Sequence, residues 1–263
     1  MNLQRPRLIV FLMMENGYLR KSKNFGESTY IGDPLNTVKI FSDLGADEIV
    51  LVDVNATNEH RDPDFDLIKN IASVARMPIC YGGGINSLHQ IEKLIKLGIE
   101  KVSICSAAFI EEDLIKQASI TFGSQSIVGC LDIKYSKKLQ KYLLYTHRGS
   151  LLVNKDIEEA TQYFIENGVG EILINNIDLD GTYKGFDKEI ISKIVQMSPV
   201  PVSVSGGASS LENILSLWNE TQVNGIAAGS LWSFIDKNNT VILNYPDDQQ
   251  KLSLFSSTKK QYN

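Results

Sequence analysis

The chain has 263 residues, of which 43% are hydrophobic and 22% charged, so it can bury one large core beneath a polar surface. Its net charge of −5 and pI near 5.3 argue against a dedicated nucleic-acid binder, because no basic surplus is available to neutralise phosphates. Residues 8–14 form an apolar run that is too short to cross a bilayer and is not followed by a small-residue cleavage site. We therefore expect a cytoplasmic protein that binds neither nucleic acid nor membranes.

Short β-rich apolar runs alternate along the chain with longer amphipathic stretches. Strands are predicted at residues 8–14, 48–53, 79–81, 101–105, 127–133, 171–175, 202–204 and 225–228. Helices are predicted between them at residues 34–44, 66–74, 87–97, 111–122, 157–167 and 187–197. Alternation at this spacing predicts parallel strands joined by right-handed crossovers. Eight units favour a closed (β/α)₈ TIM barrel, although the pattern alone also permits an open doubly wound sheet.

An internal repeat runs through the chain. Residues 45–57 resemble 169–182, residues 77–88 resemble 200–211, and residues 102–109 resemble 226–232. One offset of 123 relates Glu48 to Glu171, Pro78 to Pro201, Ser87 to Ser210 and Leu88 to Leu211. We predict a single barrel over residues 1–245, duplicated from half-barrels 1–122 and 123–245. A polar tail, 246–263, is expected to be partly disordered.

Three cysteines, Cys80, Cys105 and Cys130, lie 25 residues apart. That spacing fits no zinc or Cys-x-x-Cys motif. The interpretation is that they are buried small hydrophobic residues in a reducing compartment, and we expect neither a metal nor a cofactor.

Two glycine-rich loops, residues 81–87 and 205–210, each follow a predicted strand and open a helix. Glycine lets the backbone approach an oxyanion closely, and free N–H groups at a helix start point towards it, although tight turns also need glycine. Each loop has a companion on the next strand, Ser106-Ala-Ala and Gly229-Ser230. We predict an elongated ligand with a phosphate at each end. The predicted phosphate-binding residues of these loops are Gly83, Gly84, Ser106, Gly206, Gly207, Gly229 and Ser230.

Asp132 ends the fifth predicted strand, where a general acid or base of a barrel enzyme belongs. A strand-end cap or an ion pair with Lys134 is the alternative. The corresponding residue of the first strand is Met13, whose thioether cannot transfer protons. The loop containing Asp178 and Asp180 either contacts substrate or shapes an Asx-type turn. His147 is interpreted as a solvated turn residue rather than a catalyst.

The chain resembles the cyclase subunit of imidazole glycerol phosphate synthase from Arg7 to about residue 235. The segments that carry the resemblance are GDP at 32–34, GADEIVLVD at 45–53, GGGI at 82–85, KVSICSAA at 101–108, FGSQSIV at 122–128, YTHRG at 145–149, DLDGT at 178–182 and SGGA at 205–208. The resemblance implies that a HisH-like glutaminase docks at the N-terminal face of the barrel. Its ammonia passes through the barrel to a bis-phosphorylated ribulosyl substrate at the other end.

The family uses two aspartates, at the ends of strands one and five, as acid and base. Asp132 matches the second, and Met13 stands where the first belongs. Lys21 matches the lysine of the flexible first loop. Other differences from the family pattern lie at the same, substrate-binding end of the barrel. Asn86 replaces an arginine, Cys105 replaces an asparagine, and Asn175 replaces a threonine. By resemblance, Lys21, Asn175 and Asp178 join the predicted substrate-binding residues.

At the opposite end, four charged residues match those that gate the ammonia entrance in the family. They are Arg7, Glu48, Lys101 and Glu171. Without the resemblance, the same four charges predict only an ion-pair ring that closes the barrel.

The four charged residues at the N-terminal end match the family, whereas several residues at the substrate end are replaced. This contrast favours a divergent paralogue. Such relatives supply ammonia for acetamidino-sugar formation in surface polysaccharide biosynthesis, with a third protein that activates the sugar. The alternative is an ordinary cyclase subunit of histidine biosynthesis, which needs a substitute base, and Glu15 is the candidate nearby. A second alternative is a non-catalytic scaffold that activates the glutaminase.

Overall fold

A computed structural model describes residues 5–111, 113–235 and 240–256. Eight parallel strands close into a barrel, which confirms the predicted TIM barrel. The strands are β1 (Arg7–Glu15), β2 (Tyr18–Ser22), β3 (Ser28–Gly32), β4 (Glu48–Asp53), β5 (Ile79–Gly82), β6 (Lys101–Ile104), β7 (Ile127–Ser136), β8 (Lys141–Thr146), β9 (Leu151–Val153), β10 (Glu171–Asn176), β11 (Val202–Ser205) and β12 (Gly225–Ala228). Around the barrel the order is β1, β4, β5, β6, β7, β10, β11 and β12, and β12 pairs again with β1.

In the described chain, seven α-helices lie between successive barrel strands and two follow the last strand. They are α1 (Pro34–Asp43), α2 (Phe65–Val74), α3 (Leu88–Lys96), α4 (Leu114–Phe122), α5 (Ile157–Glu166), α6 (Lys188–Met197), α7 (Leu211–Thr221), α8 (Ser230–Ser233) and α9 (Asp248–Ser256). The first six agree with the predicted helices to within about three residues. The helix predicted to open after residues 205–210 is α7, and Ser210 caps its start by accepting a hydrogen bond from the backbone N–H of Asn213. Among the described residues, no helix has the length and hydrophobicity needed to span a membrane.

The barrel strands are buried on both faces, which explains their nearly continuous apolar sequence. Side chains on the outer face pack beneath the helices. Those on the inner face fill the barrel, and this inner core consists of Ile9, Phe11, Met13, Val50, Cys80, Val128, Cys130, Leu173 and Ala227. The C-terminal ends of the strands border this inner core and form the mouth.

Two antiparallel additions extend the barrel at its mouth. The hairpin β2–β3 pairs with the end of β1, with Met13 opposite Arg20. In the same way, β8 pairs with the end of β7, with Asp132 opposite Tyr145, and β9 pairs with β8. The ends of β1 and β7, which carry the two expected catalytic positions, are therefore each held by a neighbouring hairpin.

Within the polar tail, residues 248–256 form α9. Its Phe255 packs edge-on against Trp218 of α7, with ring centroids 5.4 Å apart. Lys251 is 2% exposed, and its ammonium donates to the carbonyl oxygen of Gly45 at 3.0 Å. A buried lysine and a buried aromatic ring anchor this segment, although its composition is polar. Lys259 and Lys260 lie outside the described residues.

Candidate functional site

A cavity of about 340 Å³ opens at the mouth of the barrel, at the C-terminal ends of β1, β4, β5, β6, β7 and β10. This is the end at which TIM barrels carry their active sites. Of the predicted site residues, the cavity is lined by Met13, Gly83, Gly84, Ser106, Asp132 and Asn175. The ends of six barrel strands therefore share one open space.

The first glycine loop requires glycine for steric reasons. Gly83 and Gly84 have φ values of +100° and +71°. A Cβ on Gly83 would lie 2.1 Å from the carbonyl oxygen of Asp53, and one on Gly84 would lie 2.6 Å from that of Arg61. The loop leads into α3, which is capped by Ser87. Only glycine therefore fits at these two positions of the loop.

The second glycine loop repeats this geometry 123 residues later. Gly206 and Gly207 have φ values of +95° and +107°, and a Cβ on Gly206 would lie 2.4 Å from the carbonyl oxygen of Asn176. The pocket here holds only about 10 Å³. Gly229, Ser230 and Lys21 also line it. The structure therefore places the predicted phosphate residues in two pockets, one open and one nearly filled.

Asp178 lines neither of these two pockets. Its side chain is exposed and accepts a hydrogen bond of 2.8 Å from the backbone N–H of Tyr135. Its own carbonyl oxygen accepts a bond from Asn24. The geometry favours the turn-shaping interpretation of this residue over substrate contact.

Asp132 lies at the floor of the cavity. Asn175 donates to its Oδ1 atom at 3.0 Å, and the thiols of Cys105 and Cys130 lie 3.8 Å from its two oxygens. Burial raises the pKa of Asp132 to about 6, although these hydrogen bonds act in the opposite direction. Lys134 lies over the ring of Tyr145 instead of pairing with Asp132. Asp132 thus exchanges a proton near neutral pH, as a general acid or base requires.

Met13 is buried where the family's first aspartate is expected. Its Sδ atom lies 3.7 Å from both the ammonium of Lys21 and the hydroxyl of Ser22. Lys21 in turn forms a buried ion pair of 2.5 Å with Asp180, whose Oδ2 atom is buried without a hydrogen-bond partner in the described chain. A carboxylate from the loop after β10 is therefore one side chain away from Met13. Asp180 was predicted only as a loop residue, because its position along the chain gives no sign that it lies beside β1.

Glu15 was the expected substitute base, but its carboxylate is fully engaged. It accepts hydrogen bonds from Ser28 at 2.6 Å and Arg148 at 2.9 Å, and it pairs with Arg20 at 3.1 Å. The bond from Ser28 and the pairing with Arg148 lower the pKa of Glu15 against the effect of its burial. A low pKa and three partners make Glu15 a poor proton acceptor, so the geometry does not support this role.

Asp53 and Arg148 are two polar residues of the same cavity that were not singled out from the sequence. Asp53 ends β4, accepts hydrogen bonds from the next turn, and pairs with Arg61 at 3.2 Å. Arg148 and His147 lie in the turn between β8 and β9 with positive φ values and also line the cavity. His147 is thus half-buried at the mouth, not freely solvated. Asp53 is the last residue of a predicted strand, and this position alone could have marked it as a residue of the mouth.

The four predicted gate residues meet in a closed ring at the N-terminal end of the barrel. Lys101 lies 2.8 Å from Glu48 and 2.9 Å from Glu171, and Arg7 pairs with the same two carboxylates. Burial raises the pKa of Glu171, but the attraction of Arg7 and Lys101 outweighs it and holds that pKa below its ordinary value. The apolar inner core lies between this ring and the cavity.

Two of the three cysteines, Cys80 and Cys130, are buried as predicted, and Cys105 is half-buried. Burial raises the pKa of Cys80 well above its ordinary value, and the hydrogen bond with Cys105 together with burial raises that of Cys130 likewise. Both Cys105 and Cys130 line the cavity, a placement that the sequence interpretation did not anticipate.

Comparison with known proteins agrees with this geometry. Residues 8–234 match the profile of the family described as histidine biosynthesis protein. A relative from Vibrio vulnificus, provisionally named imidazole glycerol phosphate synthase subunit hisF3, is 42% identical over 94% of this chain and 95% of its own length. A provisionally named subunit HisF from Leptospira borgpetersenii is 39% identical over 95% and 99% of the two chains. The imidazole glycerol phosphate synthase subunit HisF of Bacillus subtilis is 32% identical over 87% and 90%. The chain therefore belongs to the histidine biosynthesis protein family, as a HisF-like member.

Proposed function

We propose that this chain is a HisF-like synthase subunit that receives ammonia from a glutaminase partner through its barrel. We further propose that it is a divergent paralogue, which supplies the ammonia for acetamidino-sugar formation in surface polysaccharide biosynthesis together with a third, sugar-activating protein. The observation that carries the proposal is a contrast between the two ends of the barrel. The ion-pair ring is complete, whereas the end of β1 presents a thioether in place of a carboxylate.

The N-terminal end supports ammonia entry. Ammonia is small and neutral, so the apolar inner core above the ring excludes ions without excluding it. The ring places four charged groups at the entrance, and Lys101 has its side chain 16% exposed. A glutaminase docked on this face would release ammonia at the outer side of the ring, opposite the inner core.

The mouth supports a changed reaction. Loss of one proton-transferring group costs about 10²- to 10⁴-fold in rate, and Met13 cannot replace a carboxylate. The pocket of the second glycine loop has room for a water-sized group at most, because Lys21 and the loop containing Gly181 fill it. A substrate with a phosphate at each end would find only the first pocket open.

The alternative, a cyclase subunit of histidine biosynthesis, is favoured by Asp180. Its unpartnered Oδ2 atom and its ion pair with Lys21 place a carboxylate near the position of the missing aspartate. Movement of Lys21 would free this carboxylate to act together with Asp132. The relatives named as synthase subunits are equally consistent with this alternative.

Steady-state turnover of the bis-phosphorylated ribulosyl substrate with ammonium salts separates the two functions. The paralogue proposal predicts turnover at least about 10²-fold below that of a cyclase with both aspartates. Turnover equal to that of such a cyclase would refute it, and abolition of that turnover by Asp180→Asn would identify Asp180 as the substitute base.

Ammonia transfer is tested in a complex reconstituted with the glutaminase and the sugar-activating protein. Lys101→Trp is expected to block the entrance and uncouple glutamine hydrolysis from sugar amidation. Lys96→Trp, on the exposed surface of α3, is the matched control and should leave the coupling unchanged. Unchanged coupling in Lys101→Trp would show that ammonia does not pass through the barrel.

A further inference from the structure

Two cysteines and an aspartate meet at the cavity floor because of the strand register. Ile104 of β6 lies opposite Gly129 of β7 in a parallel pair, so the next residue of each strand, Cys105 and Cys130, come side by side. Asp132 follows Cys130 by two residues and therefore points to the same face of β7. The sequence places the two cysteines 25 residues apart, and only the barrel brings them together.

We propose that Cys105, Cys130 and Asp132 form a binding site for a zinc-class divalent ion, with an open coordination position facing the cavity. One ligand atom of each residue lies within 4.8 Å of the others. Each sulfur lies 3.8 Å from an oxygen of Asp132. Bond lengths of about 2.3 Å for Zn–S and about 2.0 Å for Zn–O separate tetrahedral sulfur and oxygen ligands by about 3.5 Å. The two sulfurs contact different oxygens of Asp132, so side-chain shifts of up to about 1 Å would complete the site.

The donor set selects the class of metal. Thiolates favour zinc over magnesium or calcium, which prefer oxygen ligands. Two thiolates and one carboxylate leave a net charge of −1 around a divalent ion. Three protein ligands with a fourth position open is the arrangement of zinc sites that bind water or substrate, not of closed structural sites. All three residues line the cavity, so a water molecule or a substrate oxygen can occupy the fourth position.

Asn175 supplies the outer support that such a site needs. Its amide donates to Oδ1 of Asp132 at 3.0 Å, which orients the carboxylate and leaves Oδ2 on the side of Cys105. Ligating carboxylates are commonly held by such a hydrogen bond, and loss of the outer partner costs about 10- to 100-fold in metal affinity. Binding displaces water from the hydrated ion and releases both thiol protons as the Zn–S bonds form.

Metal titration of the purified, fully reduced chain tests the site. The measurement needs neither ammonia nor a partner, so its outcome is independent of the proposed function. We expect one Zn²⁺ per chain by calorimetry, with protons released to the buffer. Co²⁺ in its place should give thiolate-to-metal charge-transfer bands and the visible bands of a tetrahedral ion. The double variant Cys105→Ser/Cys130→Ser should lose both signals.

Cys80→Ala is the matched control, because Cys80 is a buried cysteine of the same inner core and is not part of this three-residue cluster. It should keep one ion per chain, and Asn175→Ala should bind about 10- to 100-fold more weakly. Absence of stoichiometric binding to the reduced wild-type chain would overturn the proposal. So would equal binding by the wild type and the double variant. If the double variant does not fold, the cobalt spectrum of the wild type decides, since a spectrum without thiolate bands excludes the two cysteines as ligands.

Discussion

Replacing Lys101 with methionine removes one cation from the ring at the N-terminal end of the barrel. Glu48 and Glu171 are then left to share Arg7, and both carboxylates are buried. Breaking a buried ion pair costs about 3–5 kcal/mol, because the remaining charge is left without a partner. Since Arg7 still contacts both carboxylates, we expect the lower end of that range, about 3 kcal/mol in the free energy of unfolding at neutral pH.

Urea unfolding followed by circular dichroism measures this loss as a shift in midpoint at constant m-value. The matched control is Lys96→Met in α3, which removes an exposed pair between Lys96 and Glu92 four residues apart. Pairs of that kind contribute about 0.3–0.5 kcal/mol. The two substitutions remove the same charge and differ only in burial.

The pH dependence follows from the lowered pKa of Glu171. A carboxylate with a lowered folded pKa stabilises the fold above its unfolded value of 4.5, and the contribution is lost as the pH falls through the folded pKa. Lys101→Met weakens this contribution, so the difference between wild type and variant should narrow as the solution is acidified below 4.5. A loss no larger than that of Lys96→Met, or a difference independent of pH, would refute the electrostatic account of the ring.

Four further outcomes are expected. Met13→Asp should raise cyclase turnover by about 10²- to 10⁴-fold if a missing acid–base group is the only defect, and unchanged turnover would place the defect elsewhere in the mouth. The pKa of Asp132 is about 6 in the folded protein against an ordinary 3.8, so the fold favours its protonated form. The free energy of unfolding should therefore fall as the pH rises from 3.8 to about 6. Asp132→Asn should abolish this pH dependence, as measured by urea unfolding. Gly83→Ala should weaken binding of inorganic phosphate at the cavity or prevent folding, because its Cβ would overlap the Asp53 carbonyl, and calorimetry showing unchanged affinity would contradict the loop's role. Phe255→Ala should cost about 3–5 kcal/mol in unfolding free energy, and a loss below about 1 kcal/mol would show that α9 does not anchor on Trp218.

The barrel was predictable because its signals are local. Strands buried on both faces read as short apolar runs, and amphipathic helices between them show a period near 3.6 residues. The glycine loops were predictable for a similar reason, since a positive φ at Gly83 and Gly206 leaves little choice of residue. The ring residues were found through resemblance, because a charge at the start of a buried strand has several local explanations.

The helix α9 shows where local signals are insufficient. Its composition is polar, and its burial depends on a face of α7 and on an oxygen of Gly45 more than 200 residues earlier. No pattern within the sequence of residues 246–263 indicates that it packs against α7 and Gly45. The order of residues 248–256 was therefore not predictable from the sequence.

The sequence by itself determined the strand and helix alternation, the positions where only glycine fits, and the loss of a carboxylate at Met13. Tertiary structure decided that Asp180 reaches Lys21 beside Met13, 159 residues away along the chain, and that Cys105 and Cys130 meet at Asp132. These contacts depend on the register and closure of eight parallel strands. Cys105 and Cys130 become neighbours through the register of the adjacent strands β6 and β7, whereas the contact between Lys21 and Asp180 also needs the last strand to pair with the first. No local pattern encodes which side chains then share the mouth.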